Sequence, residues 1–90
     1  MILIALFDKK AAHYLAPVSF VDVTAALRRY QQALLNEVRA DSPPWMQYPE
    51  DFDMYQCGEF IEQTGQLVAY EHPQFFEHLV NLTKKGGSNA

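Results

Sequence analysis

The sequence predicts an α+β fold, a small antiparallel sheet in β-β-α-β-β-α order with helices packed on one face. Three observations in its 90 residues lead there. Met1 to Phe7 is an apolar run of strand length. From Asp22 to Ala40 the apolar residues recur with a helical period. Residues 49–70 read as two strands joined through a glycine. Helices gathered on one face of an antiparallel sheet are a standard way for both kinds of element to bury their apolar sides. The length suits a single domain, placed at residues 1–85, with a flexible tail at 86–90. A chain this short buries only about 60–65% of its unfolded surface, so its core is small.

In the first strand, Ile2, Ile4 and Leu6 alternate with Leu3, Ala5 and Phe7. Both faces are apolar, which places the strand centrally in the sheet or against a partner. Asp8-Lys9-Lys10 then begins a polar connection. The run has no basic start and no small-residue cleavage pattern, so it is read as a strand and not as a signal peptide. No apolar run reaches the length that spans a bilayer, and no membrane association is expected. His13 to Phe20 reads as a second, weaker extended segment. Pro17 lacks a ladder donor and pushes that segment to a sheet edge or a loop.

Val23, Leu27, Tyr30, Leu34 and Val38 form one stripe of an amphipathic helix, with Arg28, Arg29, Gln32 and Arg39 turned toward solvent. Asp22 or Thr24 supplies the N-cap. The helix is expected to end near Ala40, because Asp41-Ser42-Pro43-Pro44 cannot continue it. Residues 41–51 are a proline-bearing loop with Trp45 and Tyr48.

Strands at 52–61 and 66–71 flank Gln63-Thr64-Gly65, a pattern that suits a type I turn closed by a left-handed residue and a G1 bulge. Gly65 has no Cβ to penalise that conformation. His72-Pro73 reads as the start of a second helix, with Phe75, Phe76, Leu79, Val80 and Leu82 on its apolar side. Lys84-Lys85 would sit at the negative end of its dipole.

The formal net charge is −4, unevenly spread. Residues 1–45 hold five bases against four acids, residues 46–90 two bases against seven acids, and no Lys or Arg lies between Glu50 and Glu77. This argues against tight, sequence-independent binding of duplex nucleic acid by a monomer, which needs a basic stripe. A local basic patch or aromatic stacking is left open. The single Cys57 excludes an internal disulfide and suits a reducing cytoplasm.

Catalytic and metal chemistry find little support. His13, His72, His78 and Cys57 match no zinc spacing, so no metal or other cofactor is expected. Cys57, beside Gly58 and without a motif around it, reads as structural. Glu50, Asp51, Asp53, Glu59 and Glu62 read as the wet face of a strand. No enzyme is expected. Lys9, Lys10, Arg28, Arg29 and Arg39 are the phosphate-contact candidates, set against their plainer reading as a loop and a solvated helix face. Tyr14 and Tyr55 are the candidates for stacking on bases, since exposed aromatics contribute about 1–3 kcal/mol per stacked base.

Three segments together carry a family resemblance. They are Ala5-Leu6-Phe7-Asp8-Lys9-Lys10-Ala11 with Tyr14-Leu15-Ala16-Pro17, then Ala26-Leu27-Arg28-Arg29-Tyr30, then Pro49-Glu50-Asp51-Phe52 through Gly58-Glu59-Phe60 to Thr64-Gly65. In this order the chain resembles the small nonstructural protein of gokushovirus-type phages, Microviridae with circular single-stranded DNA genomes. The resemblance spans roughly residues 2 to 80 and departs in two places. The loop Glu37 to Tyr48 is longer and carries Trp45, and Val18-Ser19-Phe20 stands where two bulky apolar residues are expected in succession. The resemblance implies a nonstructural accessory protein that binds single-stranded DNA during genome replication or packaging in the host bacterial cytoplasm, and it supplies no catalytic residue. The alternative is an adaptor that binds a phage or host replication protein through the acidic hairpin. A first strand apolar on both faces, joined to a small core, also predicts a homodimer, formed by the uncovered sheet face or an edge strand.

Overall fold

Strand β1, Ile2–Asp8, is the central strand, as its two apolar faces require. The structure is a computed structural model that describes residues 1–83. The tail expected at 86–90 and the Lys84-Lys85 pair lie outside the described residues. Two short strands, β2 (His13–Tyr14) and β3 (Val18–Phe20), pair antiparallel with one edge of β1. Phe7 stands opposite Tyr14 and Ile2 opposite Phe20. The single extended segment expected over 13–20 is therefore divided. Pro17 falls in the gap, where no ladder donor is needed, and the Leu15 N–H still reaches Leu6 O at 2.8 Å.

The β1–β2 turn is held by Asp8, whose Oδ1 accepts the N–H groups of Lys10 (3.0 Å) and Ala11 (3.1 Å). The turn closes through Ala12, a non-glycine residue at φ 60°. That left-handed conformation costs an L-residue about 1–2 kcal/mol.

Helix α1, Val23–Leu34, starts as the sequence indicates: Asp22 Oδ1 accepts the Ala25 N–H at 2.8 Å. It ends at Leu34 and not near Ala40. Leu34 is the last residue of the stripe to reach the core, whereas Leu35 and Val38 are exposed. A helix turn without burial has little to hold it. The chain instead folds back on local bonds: Ser42 Oγ accepts from Arg39 N–H, and the Gln47 amide donates to the carbonyls of Ala40 and Ser42. One helical turn, α2 (Pro44–Gln47), and a 3-10 turn at Pro49–Asp51 lead into the hairpin.

Strand β4, Phe52–Ile61, pairs with the free edge of β1, and β5 pairs with β4. Gly65 closes their turn at φ 75°, with its N–H bonded to Ile61 O at 2.7 Å. Beyond the turn, expectation and structure part. β5 runs as one strand over Gln66–His78, and the second helix predicted from His72-Pro73 is absent. The correction has a physical cause in β4, whose residues Asp53–Gln56 take His78–Gln74 as their partners. Local periodicity cannot register that demand. Between Ala69 and Gln74 the ladder is broken, and Tyr70–Pro73 stand against Cys57 alone. Pro73 thus sits where its missing N–H breaks no ladder bond. The bulged segment is held by a side-chain chain: Gln56 Nε2 donates to Tyr70 Oη (2.9 Å), which donates to Glu59 Oε2 (2.7 Å). Gly58 lies beside the break, and a Cβ there would collide with the Val68 carbonyl oxygen of β5.

A short 3-10 helix, Leu79–Thr83, follows β5 and buries Leu79 and Leu82. It joins α1 on one face of the sheet. Ile4, Leu6, Phe52 and Met54 from the strands meet Phe20, Ala26, Tyr30, Leu34, Leu79 and Leu82, with Trp45 and Met46 at the margin. Ile4, Met54 and Leu79 are fully buried. Each such side chain contributes about 1.5–3 kcal/mol through burial.

Candidate nucleic-acid interface

Among the described residues, no helix lies over the opposite face of the sheet. Alternation along β1 and β4 puts Phe7 and Tyr55 there, back to back with Leu6 and Met54. Neighbouring strands add Tyr14 and Phe75, because Tyr14 is registered with Phe7 and Phe75 with Tyr55. The result is an aromatic row across four strands. Ring centroids are 4.7 Å apart for Phe7–Tyr14, 5.4 Å for Tyr14–Tyr55 and 5.7 Å for Tyr55–Phe75, in tilted or edge-on geometry. Such pairs are worth about 0.5–1.5 kcal/mol each beyond their burial. His78 extends the row, 4.9 Å from the Phe75 ring.

Burial separates this row from a core. Tyr14 is 43% exposed and Phe75 48%. Partial desolvation against its neighbours, then the phenol of Tyr55 and the thiol of Cys57, raise the Tyr14 pKa above its ordinary 10.0, so it is a neutral phenol at neutral pH. Cys57 itself is half-buried, with Sγ 3.5 Å from Leu3 O.

Charge collects at one end. Lys9 Nζ lies 3.4 Å from Asp53 Oδ1, and Lys10 Nζ 3.8 Å from Asp51 Oδ2. His78 Nδ1 is 2.9 Å from the same Asp53 oxygen. Both lysines are exposed, so these pairs are weak and open to exchange with another anion.

The structure thus links Lys9, through Asp53, to the open-face strands that carry Tyr14 and Tyr55, and sets Lys10 beside it against Asp51. It does not bring Arg28, Arg29 and Arg39 to them. Arg28 and Arg29 point outward from α1, which packs on the covered face, and Arg39 lies in the loop beyond it. Arg29 instead borders a shallow cleft of about 210 Å³ with Val18, Phe20, Tyr30, Ala33 and Trp45. Sequence reasoning missed Phe7, Phe75 and His78 as members of the open face. The alternation of Phe75 and Phe76 between the two faces was the available signal, masked by a spacing that also fits a helix.

Among the described residues no group of three or more His, Cys, Asp or Glu is placed to hold a metal ion, and no helix is long and apolar enough to cross a membrane. The family model described as Phage ORF5 protein matches residues 1–84. The chain belongs to that family, and is a small phage protein. No curated protein and no solved structure matches it.

Proposed function

We propose that this phage protein is a nonstructural accessory factor of the gokushovirus type that binds single-stranded DNA during replication or packaging in the host bacterial cytoplasm, without catalysing a reaction. The carrying observation is the exposed aromatic row on an open sheet face with Lys9 and Lys10 at its end. Every base has a π-face, so such a platform stacks bases with little sequence preference. Lysines at its margin supply phosphate contacts. Arg28, Arg29 and Arg39 would serve a strand that continues around the molecule.

The test is fluorescence anisotropy with a labelled single-stranded oligonucleotide over a salt series. Affinity should fall as salt rises and should drop further in Tyr14→Ala and Phe75→Ala. Loss of affinity in Arg28→Ala plus Arg29→Ala would show that the helix takes part.

A second reading has its own support. Lys9 and Lys10 already face carboxylates, and β5 carries Glu71 and Glu77 with no Lys or Arg. These features favour an adaptor that contacts a phage or host replication protein through an acidic surface. Absence of oligonucleotide binding even at low salt would favour it. In either role we place the protein as a homodimer joined along the outer edge of β5, where Leu67 and Val68 are exposed. Light scattering at micromolar concentration should then give twice the monomer mass, and a monomer would refute the pairing.

A further inference from the structure

We propose that Lys9 and His78 form a phosphodiester-binding subsite at the end of the aromatic row, organised by the buried carboxylate of Asp53 and strengthened when His78 is protonated. It rests on the single-stranded DNA reading and adds a residue that the sequence raised only as a metal-ligand candidate.

Asp53 is the buried charged residue of the described chain, 7% exposed. A buried carboxylate needs partners to offset its desolvation. Here one oxygen, Oδ1, faces both His78 Nδ1 at 2.9 Å and Lys9 Nζ at 3.4 Å. The carboxylate accepts, so the imidazole donates from Nδ1. This bond fixes the ring and leaves Nε2 as its other polar atom, on a side chain that is 53% exposed.

The bond also fixes what Nε2 offers. In the neutral ring the proton is on Nδ1, and Nε2 presents a lone pair that repels a phosphate oxygen. In the protonated ring Nε2 carries an N–H that donates to it. Net charge changes in the same sense. With His78 neutral, Lys9 and Asp53 cancel; with His78 protonated, these three groups sum to +1, against the Glu77 carboxylate held at the His78 backbone N–H. Binding of a phosphodiester is therefore coupled to uptake of a proton by His78.

Among the described residues, the other charged groups nearby have partners of their own. Asp53 faces His78 from β4 and Lys9 from the β1–β2 turn. Glu77 turns its Oε1 to the His78 backbone N–H and the Asn81 amide. Asp51 faces Lys10. Phe75 lies against the imidazole ring.

The experiment is anisotropy of a fluorescein-labelled oligothymidylate with the full chain from pH 8 to pH 6 at constant low salt. Wild type should tighten by about tenfold, within the limit of a one-proton linkage. His78→Gln should bind with the weaker, pH 8 affinity throughout, and Lys9→Ala should weaken binding at every pH. His13→Gln, on β2 away from Asp53, should keep the wild-type slope. In wild type, the His78 ring signals followed by NMR should titrate at higher pH with oligonucleotide than without, a readout that holds even if a variant fails to fold. A pH-independent wild type, or His78→Gln with the wild-type slope, overturns the subsite. If binding is pH-independent yet lost in Phe75→Ala, only the subsite falls. If wild type binds no oligothymidylate at any pH, the single-stranded DNA reading falls and takes the subsite with it.

Discussion

The two faces of the sheet are built from the same strands, yet only one is sealed. Ile4, Leu6 and Met54 are at most 3% exposed beneath α1 and the 3-10 helix. One residue along from them, Phe7 and Tyr55 join Tyr14 and Phe75 in a row that solvent still reaches. The chemistry differs accordingly. The sealed face is mostly aliphatic, with Phe52 among its strand residues, and interlocks with Phe20, Tyr30 and Leu34, while the open face is aromatic and ends in Lys9, Asp53 and His78. Aromatic rings tolerate partial exposure because neighbours across strands shield their edges, and they keep a flat surface for a further ring. The comparison teaches that one face holds the fold and the other is available to a ligand.

Substitutions separate the faces by size of effect. On the sealed face, Met54→Ala or Leu79→Ala should cost about 2–5 kcal/mol in urea unfolding, the range for emptying a tight core site. Gly58→Ala should cost about 1–3 kcal/mol, because β5 must move from β4 to clear the Val68 carbonyl. A loss confined to a few tenths would show that the bulge gives way easily. Removing the cap of α1 with Asp22→Ala should cost about 1 kcal/mol. On the open face, Phe75→Ala should change the unfolding midpoint less than either core substitution.

Alkaline pH probes the hairpin that both faces share. The hydrogen bond to Glu59, then burial and the Glu59 charge, raise the Tyr70 pKa above its ordinary 10.0, against a smaller opposing effect of Gln56. Burial raises Tyr30 as well, with Arg29 opposing. A phenol whose folded pKa is raised contributes stability that is complete below pH 10 and is lost as pH rises through the folded value. Unfolding free energy should therefore be flat up to about pH 10 and fall above it. Tyr70→Phe should make that fall shallower, and an unchanged slope would remove the Tyr70–Glu59 bond from the account.

Much of the sealed face was legible in the sequence. Alternation in β1, the Asp22 cap and the Gly65 turn are local signals, and the strand bounds 52–61 stand as read. What lay hidden was set by distant partners. The stripe of α1 continues in the sequence to Val38, but no core surface lies beneath it there. Phe75, Phe76 and Leu79 fit a helical spacing, and only the unsatisfied edge of β4 makes a strand of them. The open face suffered most from this, since two members of its row, Phe75 and His78, come from that misread segment. Lys9, Lys10, Tyr14 and Tyr55 were recognisable as candidates, but their grouping apart from Arg28 and Arg29 follows from topology alone.

The division of labour between the faces is tested most directly by one paired measurement. Oligonucleotide anisotropy and urea unfolding are recorded on the wild type and on Tyr14→Ala plus Phe75→Ala. The account predicts an affinity loss of about tenfold or more, from about 1–3 kcal/mol per lost stacking contact, with most of the unfolding free energy kept. Unchanged affinity in the double variant, or a wild type that binds no single strand at low salt, would contradict it.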